Sequence, residues 1–401
     1  MKDAILLLLG AIAGVVAQQA YRSARATMAA HRLSRHRRKA KHLDSSAKHS
    51  HNILTIYRSA GIADHLYTVQ TFAGQTLPIL HDNEIPPIGR IDATTEDDPV
   101  VLDDLDANPF PVDERLIKSK IARGARIWDG PAVYLKGMQT DSTGKPILTA
   151  GICNYYGYVT LAQQLSTEAN SSTGRKPIPL GHFGRFSDAT SGKFGPVTLA
   201  ATVTCVFDSE HGEQFIALQR RSDAVVNAAG MYGVAPIFGL ESNRLRSAKS
   251  RYGTIYYNFL KEFIEEFFDL EPVIRAATTP RSDLDWIFQL PHAPDLVAQL
   301  DNGDLSLFCT GLGIDLSDGS LTIALTAHFT SPDYLETLRS TAVGSWESET
   351  ATATRPAIEF VAVDDPSLAD LATIEHMDPS SIFSLDLARQ HLKRTRGQSA
   401  T

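Results

Sequence analysis

Six consecutive residues, Lys261-Glu262-Phe263-Ile264-Glu265-Glu266, carry the chemistry that stands out in this chain. At 100° per residue, Glu262, Glu265, Glu266 and Asp269 fall within an arc of about 100° on a helix, while Phe259, Leu260, Phe263, Ile264 and Phe267 occupy much of the rest. Carboxylates at i, i+3 and i+4 converge on one helical face, and such a set can ligate a hard divalent cation. The competing reading is an acidic stripe that keeps an amphipathic helix in water. The elements that precede the helix favour the first.

Residues 197–207, VTLAATVTCVF, read as a buried strand, 208–212 as a turn, and 214–221 as a returning strand that ends in Arg220-Arg221. The glycine-bracketed stretch 230–239 reads as a further strand-like segment, followed by a polar loop to Arg251 and then the acidic helix. Later strands are expected at 286–290, 305–310, 321–328 and 357–363, with a final helix near 384–393. Upstream, ERLIKSKIARGARIW from Glu114 suggests a strand or a short helix, 132–135 a strand, and 147–165 a strand leading into a helix. Residues 52–110 show little sustained periodicity and are expected to be irregular or peripheral. The Ser/Thr/Gly/Pro-rich stretch 166–196 is the natural boundary. The expected division is therefore an accessory α+β region over 52–165, a linker over 166–196 and a C-terminal domain over 197–395.

A hairpin, a strand ending at a glycine, a loop, and a helix bearing (R/K)-E-hydrophobic-x-E-E together resemble the Nudix hydrolase family. Here those elements are 202–221, then 234–239 with Gly239, then 261–266. The resemblance implies an α/β/α sandwich with a mixed sheet, and hydrolysis of a nucleoside diphosphate linked to another group. It implies Mg2+ or Mn2+ held by Glu262, Glu265 and Glu266, with Glu265, Glu266 or a loop carboxylate such as Glu241 assisting the water. Substrate would be met by Arg220, Arg221, Tyr232 and Gly239. The chain departs from the family pattern at several points. Lys261 lies 22 residues after Gly239 where 14 are usual, and it replaces an arginine, losing a planar fork. Gly253 stands where a mid-box glutamate is expected, and Phe268 where a glycine is. The alternative reading is a catalytically degenerate module that senses a nucleotide or mediates an interaction.

With 401 residues and 43% hydrophobic content the chain can bury a sizeable core. Its formal charge of −8 is unevenly spread. Residues 1–51 hold ten Lys/Arg against two Asp/Glu, a net of +8, which leaves 28 against 44, or −16, on the remainder. A body of that sign repels nucleic-acid backbones, so neither DNA nor RNA is expected as a partner. Cys153, Cys205 and Cys309 form no CxxC pair and favour neither a disulfide framework nor a zinc site, which suits a reducing compartment.

Residues 4–17, AILLLLGAIAGVVA, are an uncharged apolar run of about 21 Å as a helix. Eight Lys/Arg between Arg22 and Lys41 follow it. That charge order opposes a cleavable signal and predicts a single-pass anchor over 1–21, a basic juxtamembrane linker over 22–51 and a cytoplasmic body on the inner or cell membrane. The linker is also expected to touch anionic lipid. Its histidines, His49 and His51 among them, read as solvated. This layout is similar to a bacterial Nudix-like group that accompanies nucleotide second-messenger synthases in antiviral defence loci, the SMODS-associated NUDIX type. Weaker candidates are Tyr155, Tyr156 and Tyr158, which read as a packed sheet face or base-stacking residues, and Gly311-Leu312-Gly313, a GxG to which no phosphate role is assigned.

Overall fold

Among the described residues the apolar runs at 197–208, 305–315 and 320–329 become long strands, and the rest of the fold is assembled on them. The computed structural model describes residues 43–72, 74–94, 98–103, 111–122, 125, 127, 129–171, 184–191, 197–222, 225, 228–241, 250–276, 284–349 and 356–399. The chain divides into two units, Met1–Ser45 and Ser46–Thr401, and the architecture belongs to the second. The expected anchor over 1–21 and the basic stretch up to residue 42 lie outside the described residues. Among the described residues no helix is long and apolar enough to cross a membrane.

The first half of the chain supplies helix α1 (Leu43–Ser59), strands β1 (Leu66–Thr68), β2 (Thr76–Leu80), β3 (Gly89–Ile91) and β4 (Val100–Leu102), and helix α2 (Glu114–Ala122). The hairpin β5 (Pro131–Thr140) and β6 (Pro146–Asn154) then leads into α3 (Tyr155–Ser171) and the short α4 (Phe186–Thr190). Next come the hairpin β7 (Val197–Asp208) and β8 (Gln214–Arg220), the short strands β9 (Tyr232–Val234) and β10 (Ile237–Gly239), and helices α5 (Thr254–Phe268), α6 (Glu271–Ala276) and α7 (Ala293–Asp301). A third hairpin, β11 (Leu305–Asp315) and β12 (Ser320–Phe329), is followed by α8 (Pro332–Thr341), β13 (Ile358–Ala362), α9 (Ser367–Leu371) and α10 (Pro379–Ser399).

The fold is mixed α/β. Its strands form one mixed sheet whose main path runs β1-β2-β11-β12-β7-β5-β6-β4. The β12–β7 and β4–β6 pairs are parallel, whereas the hairpin pairs are antiparallel. β8 leaves the main path to pair with β9 and β13. Segments 52–165 and 197–395 share this sheet, through Leu135↔Val197 between β5 and β7 and Ile314↔Leu80 between β11 and β2.

Alternation along β7 sends side chains to both faces, and each face is covered by a helix. On one face Thr204 and the α10 residue Ser384 share a hydrogen bond of 3.0 Å, and Ser384 Oγ donates to the Thr202 carbonyl at 2.8 Å. On the other, Phe207 stacks on Phe329 of β12 at 4.7 Å, and Phe263 of α5 lies 5.6 Å from Phe329. The glycines of Gly311-Leu312-Gly313 are explained by helix approach. A Cβ on Gly311 would lie 2.6 Å from Leu387 Cδ1, and one on Gly313 would lie 2.6 Å from Ile79 Cγ2 and 3.0 Å from the Phe383 ring.

Four expectations need correction. Residues 52–110 contain four short strands rather than irregular chain, and Leu77, Ile79 and Leu80 of β2 are fully buried. Three- to five-residue strands are too short to show a period in sequence. The apolar stretch 286–290 is a 3-10 helix, Leu284–Gln289, not a strand. Tyr155, Tyr156 and Tyr158 open α3 rather than extending β6, and Tyr158 donates to Asp318 Oδ2 at 2.7 Å. His49 and His51 sit on α1: His49 is buried with Nε2 3.3 Å from the Ser317 carbonyl, and His51 meets Glu375 at 3.0 Å.

Candidate functional site

Helix α5 is positioned from both ends. Gly253 at its N-cap is extended and bonds Ala93 through its own N–H, while Asp98 Oδ2 accepts the Thr254 N–H at 2.6 Å. A carboxylate at this end satisfies an orphan donor and opposes the helix dipole. At the other end Asp269 takes a left-handed conformation, φ 54°, and stops the helix. Phe259, Phe263 and Phe267 repeat every fourth residue and form the stripe that docks on the sheet, with Phe263 and Phe267 stacked at 4.0 Å.

The polar face is not bathed in water, as an acidic stripe would be. Lys261 and Glu265 are both buried, and the Lys261 amino group lies 2.9 Å from Glu262 Oε1, 3.1 Å from Glu265 Oε2 and 3.6 Å from Glu241 Oε1. Glu241 reaches this position because Asn258 holds its backbone. Asn258 Oδ1 accepts the Glu241 N–H and Asn258 Nδ2 donates to the Glu241 carbonyl, both at 2.9 Å, while Nδ2 also reaches the Thr254 carbonyl at 2.8 Å. Three carboxylates therefore share one ammonium.

Glu266 faces elsewhere. A step of 100° from Glu265 turns it toward the phenylalanine stripe and hence toward the sheet. There Gln219 Nε2 donates to its Oε2 at 2.6 Å and the Ile237 N–H to its Oε1 at 2.9 Å. Gln219 is oriented in turn by Ser348 Oγ, which donates to its Oε1 at 2.5 Å.

The electrostatics express a shortage of positive charge. Burial alone would lower the Lys261 ammonium, but Glu241, Glu262 and Glu265 overrule it and hold Lys261 well above its usual range. Burial pushes the Glu262 and Glu265 carboxyls up, and Lys261 only partly offsets it. Burial likewise raises Glu266 to about 8, with Glu347 adding to the shift and Arg221 and the two hydrogen bonds opposing it.

The expected site residues thus fall into two groups. Glu262 and Glu265 meet Lys261 and Glu241. Glu266 joins Gln219 and Ser348, and Arg221 is close enough to act on its charge. Tyr232 stands opposite Arg220 across the β8–β9 pair. Gly239 ends β10 with open space where a Cβ would project, so packing does not require a glycine there. Sequence reasoning missed Asn258, Gln219 and Asp98; a buried amide three residues before Lys261, on the face of the carboxylates, was the available signal. A cavity of about 430 Å³ lined by Arg251, Asp285, Phe288, Gln289, Val297 and Asp301 shares no residue with either group.

A divalent ion does not fit this donor set as it stands. The point that Glu241, Glu262 and Glu265 share is taken by an ammonium, and both Glu266 oxygens are bonded to protein N–H groups. Among the described residues no three His, Cys, Asp or Glu side chains are grouped to hold a metal. No protein-family model matches the chain, and no characterised protein matches it either.

Proposed function

We propose that the chain is a membrane-anchored, Nudix-like protein that recognises a nucleotide-type ligand as a sensing or interaction module, its box rebuilt around an internal cation. The observation that carries this reading is the Lys261 amino group within 3.6 Å of three carboxylates. An ammonium can balance and order such a cluster, but it supplies neither open coordination positions nor an activated water. The resemblance draws support from the fold: the helix with the box packs on one face of the sheet at Phe329, a second long helix packs on the other, and a hairpin precedes the box. The apolar run over 4–17 and the basic residues after it would keep the body cytoplasmic at the inner or cell membrane, and the resemblance in layout would place the protein in bacterial antiviral defence.

A second reading is metal-dependent hydrolysis of a nucleoside diphosphate linked to another group, with Mg2+ or Mn2+. One observation favours it. Three carboxylates share one ammonium, and Glu262 and Glu265 each give only one oxygen to Lys261.

Calorimetry on the full-length chain separates the two readings. Nucleoside diphosphate compounds and cyclic dinucleotides are titrated in EDTA and in excess Mg2+ or Mn2+, with turnover followed in parallel. Binding in both conditions without turnover is the expected result. Metal-dependent turnover that disappears in Glu265→Gln would replace the sensing reading by the hydrolytic one.

A further inference from the structure

Arg220 ends β8 and Arg221 follows it, and both are met by acids from one segment. Residues 343–349 run from α8 across the end of α5, where the Val343 and Gly344 N–H groups donate to the Phe267 carbonyl at 2.9 and 3.2 Å. The segment then meets the chain just past β8 through an isolated antiparallel bridge. Glu349 N–H donates to the Arg220 carbonyl at 2.7 Å, Ser222 N–H donates to the Glu347 carbonyl at 2.6 Å, and Arg221 and Ser348 form a bridge between them. This register lays Glu349 Oε1 3.5 Å from Arg220 Nε and Glu347 Oε2 3.7 Å from Arg221 Nη2.

Neither contact satisfies its guanidinium. Arg220 Nε donates instead to the Gly230 carbonyl at 2.8 Å. Arg221 is 9% exposed, and its Nε and Nη1 find no hydrogen-bond partner among the described residues. A buried, unpaired donor is costly, more so when charged, so such an arginine stands out among native side chains. A guanidinium is shaped for two parallel bonds to an oxyanion, and a carboxylate at 3.7 Å makes neither.

We propose that Arg220 and Arg221 form an oxyanion site for a phosphate or diphosphate group, and that the segment 343–349 is an internal pseudo-ligand whose Glu347 and Glu349 occupy it until an anion displaces them. The inference rests on the reading of the chain as a recognition module for nucleotide-type ligands, and it supplies the regulation of that site. Displacement has a defined route inward. Ser348, on the same segment, donates to Gln219, and Gln219 donates to Glu266 on α5. Releasing the segment therefore removes the group that orients Gln219, the donor to Glu266, and couples anion binding to the box helix.

Inorganic pyrophosphate is the probe, titrated calorimetrically into the full-length chain, with hydrogen exchange followed at the Ser222 and Glu349 amides. The double variant Glu347→Gln/Glu349→Gln should bind pyrophosphate at least tenfold more tightly than wild type. A control pair on other elements, Glu336→Gln/Glu375→Gln, should change affinity less than threefold. Arg220→Gln, on the more exposed of the two arginines, should weaken binding at least tenfold, and pyrophosphate should accelerate exchange at both amides. Equal affinity of the strap variant and wild type, an equal gain in the control pair, or binding with both amides still protected overturns the proposal. Nucleotides that bind with the segment unmoved would overturn this inference alone, whereas pyrophosphate that displaces the segment while nucleotides neither bind nor turn over would overturn the recognition reading alone.

Discussion

Asn258 grips Glu241 by both backbone groups, accepting its N–H and donating to its carbonyl at 2.9 Å each, and so delivers the Glu241 side chain to Lys261 one helical turn further on. Asn258→Ala leaves both groups unpaired. It should cost about 1–3 kcal/mol in urea denaturation, and Asn258→Asp, which lacks the donor, should restore little of it. A loss below about 0.5 kcal/mol, the size typical of surface substitutions, would show that the clamp is not what places Glu241.

Lys261 is the only cation within 4.0 Å of Glu241, Glu262 and Glu265 among the described ion pairs. Lys261→Met keeps a flexible apolar stem and removes the charge, and should destabilise the fold by about 3–5 kcal/mol, as breaking a buried ion pair does. Lys261→Arg should lose less. Millimolar Mn2+ should raise the melting temperature of Lys261→Met and leave wild type unmoved. A wild-type response abolished by Glu262→Gln would mean that the lysine braces a metal site and does not substitute for the ion.

The Glu266 carboxyl titrates near 8 in the folded chain, against an ordinary value of 4.5. Between those values the folded state keeps a proton that the unfolded state has lost. Stability should therefore fall as pH rises from about 4.5 to about 8, with a slope from this group of up to about 1.4 kcal/mol per pH unit. Glu266→Gln should flatten that part of the profile, measured by denaturation at pH 5, 6.5 and 8. An identical slope in the variant would assign the dependence to other groups.

Gly313 accommodates α10 and β2 together. Gly313→Ala should cost about 1–3 kcal/mol, since its methyl would stand 2.6 Å from Ile79 Cγ2 and 3.0 Å from Phe383. Gly137→Ala in β5, where a Cβ meets nothing within 4 Å, is the matched control and should change stability by less than about 0.5 kcal/mol.

Sequence periodicity located the elements that are long and one-sided. The hairpin β7–β8, the strands β11 and β12 and the box helix stand close to where apolar alternation placed them. It failed where an element is short or its partner remote. β2 is five residues long and buried only because β11 and α10 come to it from elsewhere in the chain. The site was legible as a set of carboxylates on one helix. Its division was not, because that depends on what faces each residue: Glu241 and Lys261 outside, Gln219 and Ile237 N–H inside. Lys261 read as a weakened arginine, and only its distances make it the centre of the cluster.

Tyr67, in the first short strand, donates to Asp386 on α10 across 319 residues of chain, and Asp386 also accepts the Gln70 and Thr71 N–H groups. On a ribosome adding about 5–20 residues per second, that carboxylate emerges about a quarter of a minute to a minute after the strands it completes. β7 waits in the same way for β12, its parallel neighbour. During that interval apolar strand edges face solvent without their partners, a state prone to wrong pairing. The topology therefore makes this chain a slow finisher in biogenesis, with a yield that depends on chaperones and growth temperature more steeply than its folded stability would suggest.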